Sequence, residues 1–271
     1  MTIAIIAGKG DLPKMLIKKC QEIGRQFLVI LIAGELSNQE FLQFPHKIIE
    51  IGHISEVIKI LRENNINELV FAGGIAKPSM ANLKVDAKGA ILMSKILGNK
   101  LFGDDNLLTT INNFFQKEGF KIIGAEEIID DLLAKKGILG EIKPAEEFLQ
   151  DIEIGKNALK IISDLDIGQA VVVQQKQIIG VEAIEGTDAL IARCGALKFK
   201  TGRTPILIKM KKVGQNNKID LPSLGVATIE NLARNNFAGI VIEAGSTLII
   251  NQKEVIKSAN QSRLFILSID H

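Results

Sequence analysis

Tryptophan and tyrosine are both missing from these 271 residues, leaving 12 phenylalanines as the whole aromatic complement. That absence removes the usual interfacial anchors and leaves phenylalanine alone as a base-stacking platform. Apolar substrate contacts must then come from Ile, Leu and Phe. Cysteine is nearly absent too. Cys20 and Cys194 stand far apart without metal-ligand spacing, which argues against a disulfide framework and suits a reducing compartment. The histidines, His46, His53 and His271, are scattered, which argues against a histidine-centred metal site or a catalytic triad. Neither sign of charge dominates: 33 basic side chains face 31 acidic ones for a net charge of +2. There is thus no broad footprint for nucleic acid, and no long basic block supplies one locally. No apolar run approaches the roughly 20 residues that span a bilayer. The opening Met1-Thr-Ile-Ala-Ile-Ile-Ala7 lacks the basic start and long apolar core of a signal peptide and reads as a first strand.

What is present is an alternation of strand and helix patterns. Thr2 to Ala7 is a β-branched run suited to a buried parallel strand, and Gly8-Lys-Gly-Asp-Leu-Pro13 turns it into an amphipathic helix. Strands are expected at Phe27–Ile32, Lys47–Ile51, Glu68–Ala72 and Phe120–Ile123, with helices between them. That order implies a parallel sheet covered on both faces. Residues 1–133 are therefore read as a Rossmann-like, doubly wound N-terminal domain, and the charged, glycine-bearing stretch 134–144 as a linker. Residues 145–271 are read as a second α/β domain with a mixed sheet. In it, strand Ala170–Gln174 turns back at Gln175-Lys176 into Ile178–Ala183, and strands follow at Pro205–Met210, Gly239–Glu243 and Leu264–Ile269.

Several groups in this frame have side chains suited to chemistry. Gly8 and Gly10 after the first strand could let backbone amides approach a phosphate. The dinucleotide fingerprint is incomplete, with Pro13 where a third glycine belongs and Glu35 poorly matched to a ribose. A nicotinamide cofactor is therefore disfavoured, and the loop is kept as a phosphate or sugar contact. Gly73 and Gly74 end another strand, where open α/β sheets place their ligand crevice, and Lys77 follows as a candidate for an anion. Asp104 and Asp105 suit a helix N-terminus, the simpler account, and could instead reach a sugar hydroxyl or a metal. In the second half, Glu182, Glu185 and Asp188 cluster where a strand gives way to a helix, and Asp220 lies in a later loop. Thr187 and Asp188 also suit a helix N-terminus. Together with Arg193, Lys198, Arg203 and Lys209, these acids have the composition of a Mg²⁺-dependent phosphoryl-transfer site, with oxygen ligands for the cation and bases for phosphates.

The ordered set Ile6-Ala-Gly-Lys-Gly-Asp-Leu-Pro13, Phe71-Ala-Gly-Gly-Ile-Ala-Lys-Pro78, Gly103-Asp-Asp-Asn-Leu-Leu108, Val181-Glu-Ala-Ile-Glu-Gly-Thr-Asp188 and Asp220-Leu-Pro-Ser-Leu-Gly-Val-Ala-Thr228 resembles the LpxI family of UDP-2,3-diacylglucosamine diphosphatases along essentially the whole chain. The resemblance implies a cytoplasmic enzyme of lipid A biosynthesis that uses Mg²⁺ to hydrolyse this nucleotide-sugar lipid to UMP and 2,3-diacylglucosamine 1-phosphate, with the substrate between the domains. It places the family's essential aspartate on Asp220. Asp220 is then expected as metal ligand or general base, with Glu182 as a second metal ligand and Asp188 helping to orient water. Basic neighbours, Arg203 among them, would grip phosphate. Peripheral contact with the inner membrane and a homodimer are compatible with the resemblance. The competing reading from another class is a non-catalytic lipid or nucleotide-sugar binding protein.

Overall fold

The computed structural model describes residues 1–34, 36–75, 83–98, 104–163, 165, 167–212 and 221–270, and side chains within these except those of 36–38 and 104–106. Lys77 and Asp220 lie outside the described residues, as do the side chains of Asp104 and Asp105. The described chain divides into two compact units, with the break between Asp130 and Asp131.

The first unit is built on a five-stranded sheet in the order β3-β2-β1-β4-β5, every pair parallel. Its strands are β1 (Ile3–Ala7), β2 (Phe27–Ile32), β3 (His46–Ile49), β4 (Glu68–Ala72) and β5 (Lys121–Ile122). Continuous apolar runs serve strands buried on both faces. Alternate residues Ala4, Ile6, Leu28, Ile30 and Leu69 pack with α2 (Ile54–Glu63), α3 (Ala87–Gly98) and α4 (Asp104–Lys117). The intervening Ile3, Ile5, Val29 and Leu31 are equally buried on the other face. There α1 (Leu12–Glu22) contributes Leu16, Ile17 and Cys20. This is the doubly wound arrangement expected from the sequence.

One carboxylate ties two of these helices together. Asp86 accepts from the Ser55 and Glu56 amides at the start of α2, at 2.7 and 3.3 Å, and from Gly89 in the first turn of α3, at 2.8 Å. Burial works to raise its pKa. The hydrogen bonds from Gly89, Ser55 and Glu56 outweigh that and hold the carboxyl below its ordinary range.

The second unit carries a six-stranded sheet in the order β6-β13-β11-β9-β7-β8. Its strands are β6 (Gly137–Ile138), β7 (Ala170–Gln174), β8 (Gln177–Val181), β9 (Ile206–Lys209), β11 (Gly239–Glu243) and β13 (Phe265–Ile269). The central β9, β11 and β13 are parallel, whereas β6, β7 and β8 run antiparallel to their neighbours. Two short parallel strands, β10 (Ser223–Leu224) and β12 (Leu248–Ile249), form a separate ladder. One sheet face packs against α6 (Gly186–Leu197), α7 (Val226–Arg234) and α8 (Gln252–Gln261). The other packs against α5 (Leu149–Ser163).

The stretch 134–144, expected as a linker, belongs to this second unit. Ala134 is 2% exposed in its core, its N–H donates to the Thr247 carbonyl, and its carbonyl accepts from Gly245. Gly137–Ile138 pairs with β13 as an edge strand. The glycines that read as linker punctuation, Gly137 and Gly140, have φ of 124° and 104° and turn the chain along the sheet edge.

Candidate functional site

In an open α/β sheet, ligands gather beyond the carboxyl ends of the parallel strands. In the second unit that edge collects polar side chains. Strand register aligns Ala170 with Lys209, Lys209 with Ile242, and Ile242 with Ser268. The Glu182 amide donates to the Ala170 carbonyl, which continues the row onto the end of β8. Gly180, two residues earlier, faces Cys194 and Leu190. Alternation therefore turns Glu182 to the same helix-covered face. Three of these five residues are polar, and all three are buried: Glu182 is 5% exposed, Lys209 7% and Ser268 1%.

Glu182 is fully engaged by its own fold. One oxygen accepts from the Gln169 amide at 2.9 Å, the other from the Thr187 hydroxyl at 2.5 Å. Thr187 lies in the first turn of α6, so a half-buried, charge-assisted bond holds this helix start against β7 and β8. Asp188 is exposed, and its carboxylate and carbonyl both accept from Asn231 Nδ2, a tie from α6 to α7. Glu185 accepts from Arg193 at 2.8 Å and from the Ala183 amide at 3.1 Å; the Arg193 bond is the main reason its carboxyl sits below the ordinary range. Among the described residues, no group of three or more His, Cys, Asp or Glu could hold a metal ion.

These bonds predict the outcome of Glu182→Ala. The change strands the half-buried Gln169 amide and Thr187 hydroxyl, which costs about 2–3 kcal/mol. A melt should fall by roughly 5–10 °C. An unchanged melt together with lost magnesium-dependent turnover would instead assign Glu182 to the cation.

Arg203 is not brought to this edge. It precedes β9, whose first residue, Ile206, pairs with Val173 near the β7–β8 turn, whereas Glu182 and Lys209 adjoin Ala170 at the other end of β7. Its guanidinium bonds Asp151 at 3.1 Å and lies 5.7 Å from the Phe148 ring centroid. Asp151, wholly buried, also accepts from the Lys176 amide at 2.6 Å and so pins a hairpin turn in which Gln175 and Lys176 both have positive φ. Asp151 was not singled out from the sequence, because an acid that closes a turn from another helix has no local signal.

In the first unit the glycine loops meet each other. Gly8 donates to the Ala72 carbonyl at 2.8 Å, and Lys9 and Gly74 exchange two backbone bonds of 2.7 and 3.1 Å. The amides of Gly8, Lys9 and Gly74 are thus held by the protein itself, while Gly10 has φ of 100° with open space around it. The pairing brings Gly8, Gly73 and Gly74 together at the carboxyl ends of β1 and β4.

Comparison with known proteins extends this picture along the chain. The LpxI N-terminal domain matches residues 2–132 and the LpxI C-terminal domain matches residues 135–267. A relative from Caulobacter vibrioides (strain ATCC 19089 / CIP 103742 / CB 15), UDP-2,3-diacylglucosamine pyrophosphatase LpxI, is 36% identical over 273 aligned positions that cover 99% of this chain and 97% of its own. A solved structure of CobK precorrin-6A reductase aligns over 100% of this chain and 88% of that one at 11% identity, with a TM-score of 0.32, too slight a likeness to carry an argument.

Proposed function

The chain belongs to the LpxI family, and from that premise we propose that it hydrolyses the diphosphate of UDP-2,3-diacylglucosamine, yielding UMP and 2,3-diacylglucosamine 1-phosphate in lipid A synthesis. The observation that carries the reading is the relative of that activity, aligned over 99% of the chain at 36% identity. In the reaction a water oxygen bonds to one phosphorus, the bridging P–O bond breaks, and its electron pair leaves on the other phosphate. Such a site needs a base to take the water's proton and positive charge against the phosphates. Asp220, immediately before Leu221 and β10, is the proposed carboxylate.

Asp220 would hold a magnesium ion in this reading, and the ion would supply positive charge against the phosphates. Glu182 and Asp188 act in this reading by fixing the start of α6. The Gly8–Gly10 and Gly73–Gly74 loops, with Lys77, Asp104 and Asp105, are proposed as contacts to the nucleotide sugar. No helix among the described residues is long and apolar enough to cross a membrane. The two acyl chains suit a reaction at the cytoplasmic face of the inner membrane with peripheral contact, and a homodimer is compatible with the same reading.

The test is direct. The purified protein is expected to release UMP from UDP-2,3-diacylglucosamine in the presence of magnesium and to stop when EDTA is in excess. Stoichiometric binding without UMP release over hours would make it a carrier. Full turnover in EDTA would remove the cation from the scheme.

A further inference from the structure

We infer that the outward face of α3 (Ala87–Gly98) is a docking surface for an anionic lipid bilayer. The inference rests on the hydrolase reading above and deepens it. A substrate with two acyl chains stays in a bilayer, so an enzyme that acts on it has to reach that surface.

The helix is apolar on two opposite sides. Leu92 is buried and Ile96 packs with the core of the first unit. At about 3.6 residues per turn, the far side carries Leu97, Ala90, Ser94, Ala87 and Ile91 and no charge. All five are exposed, Ile91 at 50% and Leu97 at 56%. A lone exposed aliphatic side chain is ordinary, but two bulky ones on one uncharged arc mark a contact surface. A helix that is apolar all round is normally covered all round. With 12 residues, α3 is about 18 Å long, well short of the roughly 30 Å of a bilayer core. It therefore lies on a bilayer rather than across one.

Charge decides what covers the arc. Lys88 and Lys95 run along its Ile91 border, Lys84 stands just before the helix, and α3 itself contains no acid. The acids close by are already engaged. Asp86 accepts from the Ser55, Glu56 and Gly89 amides, and Glu118 is bonded by both Lys88 and Arg62. Lys84 and Lys95 are exposed, and among the described residues neither has an acidic partner; Lys95 Nζ lies 5.1 Å from the Phe114 ring centroid. Lys84, Lys88, Lys95 and Arg62 thus outnumber Asp86 and Glu118 around the arc. Lysine stems cover the apolar border while their ammonium groups meet anionic headgroups, the arrangement of a helix that lies in a membrane surface. A second copy of the chain seated face to face would set these lysines against one another with no acid between them. The same charges therefore disfavour a dimer through this face.

Co-sedimentation of the full chain with substrate-free vesicles tests the surface without using turnover. Vesicles of phosphatidylcholine and phosphatidylglycerol in equal parts should carry the protein down, and vesicles of phosphatidylcholine alone should bind it about tenfold more weakly or worse. Ile91→Gln with Leu97→Gln should weaken binding to the mixed vesicles about tenfold. Lys84→Gln with Lys95→Gln should do the same on mixed vesicles and leave binding to phosphatidylcholine unchanged. These side chains are exposed, so either pair should shift the melt by less than about 2 °C. UMP release from detergent-dispersed substrate should stay within about twofold of the original, because no bilayer has to be reached there. The inference is overturned if the unaltered protein stays in solution with mixed vesicles, or if either folded pair binds them as tightly as the original. It is also overturned if the lipid-free protein is a dimer that Ile91→Gln with Leu97→Gln converts to a monomer. Should one pair fail to fold, the other decides. A protein that sediments with mixed vesicles but releases no UMP would remove the hydrolase reading and keep the surface, so the two failures are distinct.

Discussion

Replacing Asp220 by alanine should lower kcat for UMP release by about a thousandfold or more, while the protein still binds its nucleotide-sugar lipid with affinity within about threefold. The magnitude follows from the role. A factor of 1000 corresponds to about 4 kcal/mol of lost transition-state stabilisation, the scale of removing a general base or an anchoring carboxylate. Binding survives because uridine, sugar and acyl chains offer far more contact than one carboxylate does. Asp220→Asn sharpens the test: the amide keeps the shape and loses the charge and the basicity, so it should fall nearly as far as alanine. The measurement is single-turnover UMP release beside equilibrium binding of the substrate by the variant. More than a tenth of the original kcat in Asp220→Ala would take the aspartate out of the chemistry.

Much of the second unit was legible in the sequence, though not all of it. Strands at Glu68–Ala72, Ala170–Gln174 and Gly239–Glu243 were readable to the residue, since each is an apolar run bounded by turn-forming or polar residues. The β7–β8 hairpin was readable from its two-residue turn, despite Gln175-Lys176 in place of the usual glycine pair. Edge strand β6 was not, because two glycines in a charged stretch look the same whether they loosen a linker or turn a chain beside a sheet. Only β13, which pairs with it, distinguishes the two.

The same limit governs the site. A carboxylate inside the apolar run around Glu182 announces burial with a purpose, but sequence does not say whether the purpose is a ligand or two partners, Gln169 and Thr187, held 13 and 5 residues away. Arg203 and Lys209 are six residues apart and looked alike as phosphate-binding bases. Strand β9 carries the chain from one edge of the sheet to the other between them, at roughly 3.3 Å per residue. Arg203 is left beside Asp151, and Lys209 at the carboxyl edge. Proximity in sequence is a poor guide to a site whenever a strand intervenes.

The glycine loops of the first unit present that ambiguity in a form that two neighbouring substitutions can resolve. Gly73→Ala should destabilise the protein by about 3 kcal/mol or more, whereas Gly74→Ala should change it by less than about 1 kcal/mol. Gly73 has φ of 82°, a left-handed conformation that costs a side chain roughly 1–2 kcal/mol. A Cβ there would also drive into the Lys9 carbonyl oxygen, far inside the 3.0 Å that real Cβ atoms keep. The neighbour it would displace is backbone, held by the paired Lys9 and Gly74 bonds, so relief requires opening the junction between the ends of β1 and β4. Gly74 is the reverse case, with nothing within 4 Å of its added Cβ and no positive φ. Thermal melts of the two variants should therefore differ by about 5 °C or more. A phosphate-cradling loop predicts another pattern, in which Gly73→Ala melts like the original protein and fails only in substrate binding. The first pattern would mean that glycine is required at position 73 because the Lys9 backbone passes too close for a side chain, with any contact to the nucleotide sugar built on top of that packing.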